Sequence, residues 1–270
     1  MLIGICSDKG SPGATTTALA LASTLPDPAV VVEVDPLGAD LAIRLRTHSG
    51  AALPKAPTVL TVATAARSNR SADLFAKYAH PFTSGVSVVP GPVVAEQASG
   101  VADWQPLADL MAVCASPLFV DFGILHGGSR LLPMAAQAEV LVVVGRPDPG
   151  SVIRLRERLT RLSSELASDR GKPPRLLPVL VCSNRHGPGH VADLGRILAE
   201  TPAKPFLVGA GFVAYDPASV RRLQRGEEPN GRLARTPLMR SGSAINKLLS
   251  HILDDNEQVP AATVKAEGGR

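Results

Sequence analysis

One stretch constrains this chain more than any other: the apolar run Leu2-Ile3-Gly4-Ile5-Cys6, then Lys9-Gly10-Ser11-Pro12-Gly13-Ala14-Thr15-Thr16-Thr17, then good helix formers as far as Leu25. The first run reads as a buried strand, and the residues after Gly13 read as a helix. A strand, a glycine-bearing loop and a helix in that order aim backbone N–H groups and a helix N-terminus at one point. That favours a bound phosphate whatever the side chains are. The usual phosphate loop ends in Gly-Lys-Ser/Thr, with the lysine on the β- and γ-phosphates and the hydroxyl on magnesium. Here the hydroxyl is Thr15, and Ala14 stands where the lysine belongs. Pro12 has no N–H to offer an anion. A charge-assisted hydrogen bond contributes roughly 1.5–3 kcal/mol, so the missing lysine weakens nucleotide binding by about ten- to a hundredfold. Hydrolysis suffers more, because the same charge offsets the one that builds on the transferring phosphoryl group. The plainer alternative is a strand–turn–helix corner built of Gly, Ser and Pro for its geometry.

Further strands recur at intervals. Ala29 to Pro36 is a β-branched run ending in Glu33, Asp35 and Pro36, and Pro117 to Gly123 is an apolar run interrupted by Asp121. Val140 to Val144 and Leu176 to Val181 are two more, the second running into Cys182-Ser183-Asn184-Arg185. Each acid, taken singly, is also an ordinary strand-end turn former. Helices are expected over Ser151 to Leu166, Val191 to Ala199, Pro217 to Arg225 and Gly242 to Leu253, with one more near Thr58 to Arg67 and a strand over Val86 to Pro90. This alternation predicts an α/β fold, a single doubly wound domain with a mainly parallel sheet and helices on both faces. Ligands bind such sheets at the carboxyl ends of strands, which is where the loop, the acids and Asn184 fall.

The loop resembles the deviant Walker A motif of the ParA/MinD family of P-loop NTPases, Lys-Gly-Gly-x-Gly-Lys-Thr-Thr, with Lys9 as its opening lysine, Ser11 in place of a glycine and Ala14 in place of the second lysine. The resemblance extends over about residues 2 to 253. It implies a cofactor site for ATP or ADP with Mg2+, in which Lys9, Gly10, Ser11, Pro12, Gly13, Ala14, Thr15 and Thr16 cradle phosphate. Thr15 and Asp121 would hold the metal, the latter as in a Walker B strand. Asp35, matching the second acid of the family's Asp-x-Asp-Pro segment with Glu33 for the first, would position the attacking water. Asn184, Arg185, Tyr215, Asp216 and Pro217 would lie near the base. It further implies a homodimer, with Lys9 contacting phosphate across the interface. With Ala14 in the loop, the expected function is a degenerate, weakly hydrolytic or inactive positioning or regulatory scaffold. The alternatives are an active ATP-dependent dimerisation switch and a DNA-partition protein. Relatives of the pilus-assembly TadZ/CpaE type also carry altered loops.

Composition agrees with one large domain: 270 residues, 45% apolar and 19% charged, can bury a substantial core. No apolar run approaches the ~20 residues that span a bilayer. With a strand beginning at Leu2, no signal peptide fits, so the expected setting is cytoplasmic. The three cysteines, Cys6, Cys114 and Cys182, lack metal-ligand spacing and read as buried thiols. The net charge of +4 is locally concentrated, with Arg221, Arg222, Arg225, Arg232, Arg235 and Arg240 offered as a non-specific DNA surface, against the alternative of a solvated helix and loop face. Residues 254 to 270 are polar and read as a disordered tail. The segment Ile245 to Leu253 is a short candidate for a membrane-lying helix, more readily explained by packing on the sheet.

Overall fold

The computed structural model describes residues 1–7, 9, 12–37, 40–47, 49–166 and 173–257, with side chains to residue 254. Eight strands are present: β1 (Leu2–Ser7), β2 (Ala29–Glu33), β3 (His80–Thr83), β4 (Val86–Val89), β5 (Leu118–Ile124), β6 (Val140–Gly145), β7 (Arg175–Cys182) and β8 (Gly211–Ala214). The helices are α1 (Ala14–Ala22), α2 (Asp40–Arg44), α3 (Val59–Ala65), α4 (Leu74–Tyr78), α5 (Ala95–Ser99), α6 (Gln105–Ala112), α7 (Leu132–Ala135), α8 (Pro149–Glu165), α9 (Gly187–Leu198), α10 (Pro217–Gln224), α11 (Gly231–Ala234) and α12 (Pro237–Glu257).

The central strands are apolar along their whole length because both faces of the sheet are covered. Every residue of β1, β2 and β6 is buried. Strand order is β3-β4-β2-β5-β1-β6-β7-β8, and all pairings are parallel except β3 with β4. Alternate residues feed two cores. Leu2, Cys6, Val30, Val32, Val120 and Val143 face a layer containing α3, α4, α6, α7, α8 and α9. Ile3, Ile5, Val31, Phe119, Val142 and Val179 face a layer containing α1, α2, α10, α11 and α12. This is the doubly wound α/β arrangement expected from the strand–helix alternation.

The chain reverses its direction across the sheet at β1, going first towards β2 and later, through β6, towards β7 and β8. The crevice at such a reversal is where open α/β sheets bind ligands. Gly4 lets this central strand lie close to its neighbours: a Cβ there would sit 2.8 Å from Leu141 Cδ1 and 2.9 Å from Phe122 Cε2. Gly4→Ala is therefore expected to cost about 1–2 kcal/mol of stability by overpacking, read as a lower urea midpoint with an unchanged m-value; an unchanged midpoint would show that the core relaxes freely there.

The edge hairpin β3–β4, turning at Gly85 with φ 81°, is not evident as a pair in the sequence, because His80-Pro81-Phe82-Thr83 has no alternating pattern. Helix α12 is longer at both ends than the expected Gly242 to Leu253 and passes residue 254, where the sequence suggests that a tail begins; residues 258–270 lie outside the described residues. Ile245, Leu249 and Ile252 of α12 are buried in the core, and Asn246 Nδ2 donates to Leu21 O at 2.8 Å and to Thr24 Oγ1 at 2.9 Å. The apolar face of the candidate membrane-lying segment is thus spent on α1 and the sheet. Among the described residues, no helix is long and apolar enough to cross a membrane.

Candidate functional site

At the end of β1, Ser7 Oγ donates to Gly123 O at 3.2 Å, fastening the carboxyl ends of β1 and β5 together. Gly13 then opens α1 from a φ of 110°, a conformation that favours glycine. Thr17 N donates to Gly13 O at 2.8 Å, which starts the helix, and no side chain caps the first turn. The leading N–H groups of a helix have no partner within it, so they remain available at the floor of a cleft of about 660 Å³ lined by Pro12, Gly13, Ala14, Thr15 and Thr16. Pro12 is buried, Ala14 is 7% exposed, and Lys9 is exposed outside the cleft lining. Gly10 and Ser11 lie outside the described residues.

Carboxylates gather along one side, Asp35 and Asp40 in the cleft lining and Asp121 and Glu33 buried outside it. Asp121 on β5 and Glu33 on β2 are directly paired in register and face the α1 side of the sheet. Glu33 is an anchor rather than a ligand: Oε1 accepts the Asp40 amide at 2.8 Å and Oε2 the Gly91 amide at 2.8 Å, joining β2 to α2 and to the loop after β4. Burial pushes its carboxyl up to about 8, against the pull of the Gly91 amide and with a further push from Asp121. Asp121, 1% exposed, accepts the Gly123 amide through Oδ1 at 2.9 Å, while Oδ2 has no hydrogen-bond partner. Burial raises it to about 6; the Thr15 hydroxyl and the Gly123 amide pull down, and the Asp35 and Asp40 carboxylates push up. Asp35 lines the cleft, half-buried, with Oδ1 accepting the Leu37 amide at 2.9 Å; burial again raises its carboxyl, with a smaller push from Asp40. It lies where a Cβ on residue 123 would overlap it, so Gly123, at φ 60°, is what admits this acid to the end of β5.

These features fit a magnesium-bound polyphosphate. A buried carboxylate with a bare oxygen costs free energy unless a cation or donor meets it. Among the described residues no cluster of three or more His, Cys, Asp or Glu side chains could hold a metal, so a cation here would take its remaining ligands from phosphate and water, as magnesium does.

The opposite wall comes from β7, β8 and α10: Val181, Val213, Tyr215, Asp216 and Pro217 line it, with Tyr215 66% exposed. Asp216 caps α10, accepting Ser219 N at 3.1 Å and Ser219 Oγ at 2.6 Å. Asn184 and Arg185 are exposed and are not part of the lining. The turn that carries them, closed by His186 N to Ser183 O at 3.2 Å, leads into α9, which packs on the sheet face opposite α1.

Three arginines line the cleft that no sequence motif places there: Arg44 of α2, Arg146 after β6 and Arg221 of α10. Position immediately after a strand is the available signal for Arg146. Of the arginines considered for DNA, Arg222 is held by Glu227, its Nε donating to Oε2 at 2.8 Å, while Arg225, Arg232, Arg235 and Arg240 are exposed. Arg221 lines the cleft and Arg222 is paired, which sets these two apart from the other four.

No protein-family model matches the chain, and no curated protein matches it by sequence. Solved structures do match its fold. A ParA family ATPase from Chlorobium tepidum TLS superposes with a TM-score of 0.69 at 15% identity, over 91% of this chain and 96% of that one. The septum site-determining protein MinD of Pyrococcus horikoshii OT3, in complex with Mg-ADP, gives 0.65 at 15% identity, over 95% and 98%. The pNOB8 ParA protein bound to nonspecific DNA gives 0.60 at 13% identity, over 95% and 100%. The chain has the ParA/MinD P-loop NTPase fold.

Proposed function

We propose that this chain is a degenerate ParA/MinD-like protein that keeps a nucleotide site, has little or no ATPase activity, and works as a dimeric positioning or regulatory scaffold. One observation carries the reading: the uncapped first turn of α1 opens into a cleft lined by Thr15 and Asp35, with Asp121 buried against Thr15 outside the lining, and the side chain at its start is the methyl group of Ala14. The first-turn amides hold phosphate. Thr15 and Asp121 hold magnesium, whose charge would neutralise phosphoryl oxygens. Asp35 orients water at a site that lacks the cation needed to stabilise transfer. Tyr215 and Pro217 offer the base an aromatic and an apolar surface. Lys9, the opening lysine of a deviant Walker A motif, reaches phosphate in the facing subunit. The TadZ/CpaE type, with its altered loops, is the setting this departure best matches. DNA partition is the weaker reading, since Arg221 lines the cleft and Arg222 is paired with Glu227.

Isothermal titration with ATP and ADP, with and without magnesium, together with a phosphate-release assay, tests this. Binding with turnover at background is expected. Magnesium-dependent turnover abolished by Asp35→Ala would make the chain an active dimerisation switch instead, and an absence of binding would leave a nucleotide-free scaffold.

A further inference from the structure

We infer that Arg146 supplies the phosphate-binding cation that the loop lacks. The inference rests on the reading of the cleft as a nucleotide site and adds a ligand to it from a neighbouring strand. Strand β6 lies directly beside β1, with Ser7 paired to Val144, so the two chains leave the sheet at the same level. The loop departs from one and Arg146 from the other. Strand order then places Arg146 between the side of the cleft that carries Asp35 and Asp40, next to β2, and the wall of Val181 and Tyr215 at β7 and β8. A polyphosphate joining a base on that wall to a metal at the other side has to pass that point.

The backbone of Arg146 is pinned. Its N–H donates to Ser151 Oγ at 2.9 Å, and Ser151 N donates in turn to Asp148 Oδ1 at 2.9 Å at the start of α8. Pro147 comes next and Pro149 opens the helix, which narrows the conformations open to this turn. Pre-organisation of this kind lowers the entropic cost of holding a ligand. Among the described residues the Arg146 side chain makes no hydrogen bond or ion pair, whereas Arg44, also at the cleft, is paired with Asp40 at 2.9 Å. A guanidinium is suited to the position, since its planar fork takes two phosphoryl oxygens at once and it stays charged throughout the working pH range.

Isothermal titration with ADP, with and without magnesium, decides the matter on five variants compared with the wild type: Arg146→Ala, Arg221→Ala, the exposed and distant Arg67→Ala, Ala14→Lys, and Ala14→Lys combined with Arg146→Ala. Arg146→Ala is expected to weaken ADP binding by about ten- to a hundredfold, and Arg67→Ala to leave it unchanged. With a lysine restored at position 14 the two cations overlap in role, so Arg146→Ala should then cost under about threefold, a non-additivity that a merely nearby charge would not produce. Wild-type affinity in Arg146→Ala, the larger loss appearing in Arg221→Ala, or additive effects in the double variant would each overturn the assignment while leaving the nucleotide site intact. A wild-type protein that binds no ADP would overturn both.

Discussion

Asp121→Asn is expected to stabilise the metal-free protein at pH 8 by about 2–3 kcal/mol, the cost of holding its carboxyl charged where burial opposes the charge. The wild-type carboxyl is raised from 3.8 to about 6 in the folded protein, chiefly by burial. The folded state therefore keeps a proton that the unfolded chain has already released, and stability falls as pH rises between those two values. The asparagine keeps an oxygen for the Gly123 amide and carries no charge, so this part of the slope should vanish. The residual decline towards pH 8 belongs to Glu33, raised from 4.5 to about 8. Urea denaturation at intervals from pH 4 to pH 8, in the presence of a chelator, measures both. Equal stabilities of variant and wild type at pH 8 would show that Asp121 is not held against its charge. If the wild type lost stability on going from pH 8 to pH 5, the direction itself would be wrong.

Introduced together with Arg146→Ala, Ala14→Lys is expected to raise affinity for ADP and ATP by about ten- to a hundredfold over Arg146→Ala, the value of one charge-assisted contact to phosphate, and by a smaller factor where Arg146 is present. The substitution starts from a residue that already lines the cleft as the first residue of α1, beside amides that no side chain caps. Lysine's long stem brings its charge out of a position where alanine is nearly buried. Titration of the folded variant measures the gain. If affinity does not move, more than the missing charge closes the site, and buried Pro12, without an N–H, is the next residue to replace.

Much of the fold is legible in the sequence because its signals are local. The apolar runs at Leu2, Ala29, Leu118, Val140 and Leu176 all form buried strands, and Thr58 caps α3 where a helix is expected, its Oγ1 accepting Leu60 N at 3.3 Å. The rule that ligands gather at carboxyl ends brings Asp35, Thr15 and Tyr215 to one cleft, with Asp121 buried beside Thr15. Asn184 and Arg185 are not in that lining, because a strand-end residue can leave towards either face of the sheet and the direction depends on where the next helix packs. Glu33 reads in the sequence as a counterpart of a site acid, and only the amides of Asp40 and Gly91, distant in sequence, make it an anchor.

What the sequence by itself determined is the strand–loop–helix cradle, the alternation that makes a doubly wound sheet, and the absence of a lysine at position 14. These depend on apolar periodicity, glycine and proline, whose conformational preferences act within a few residues. The tertiary structure alone decided which cations and acids share the cleft. Arg146 shares the cleft with Ala14 because β6 hydrogen-bonds to β1, and Asp35 reaches the end of β5 because Gly123 has no Cβ to block it. Side-chain charge acts through space, and strand order, set by packing of the whole domain, determines which charges lie close enough to act together.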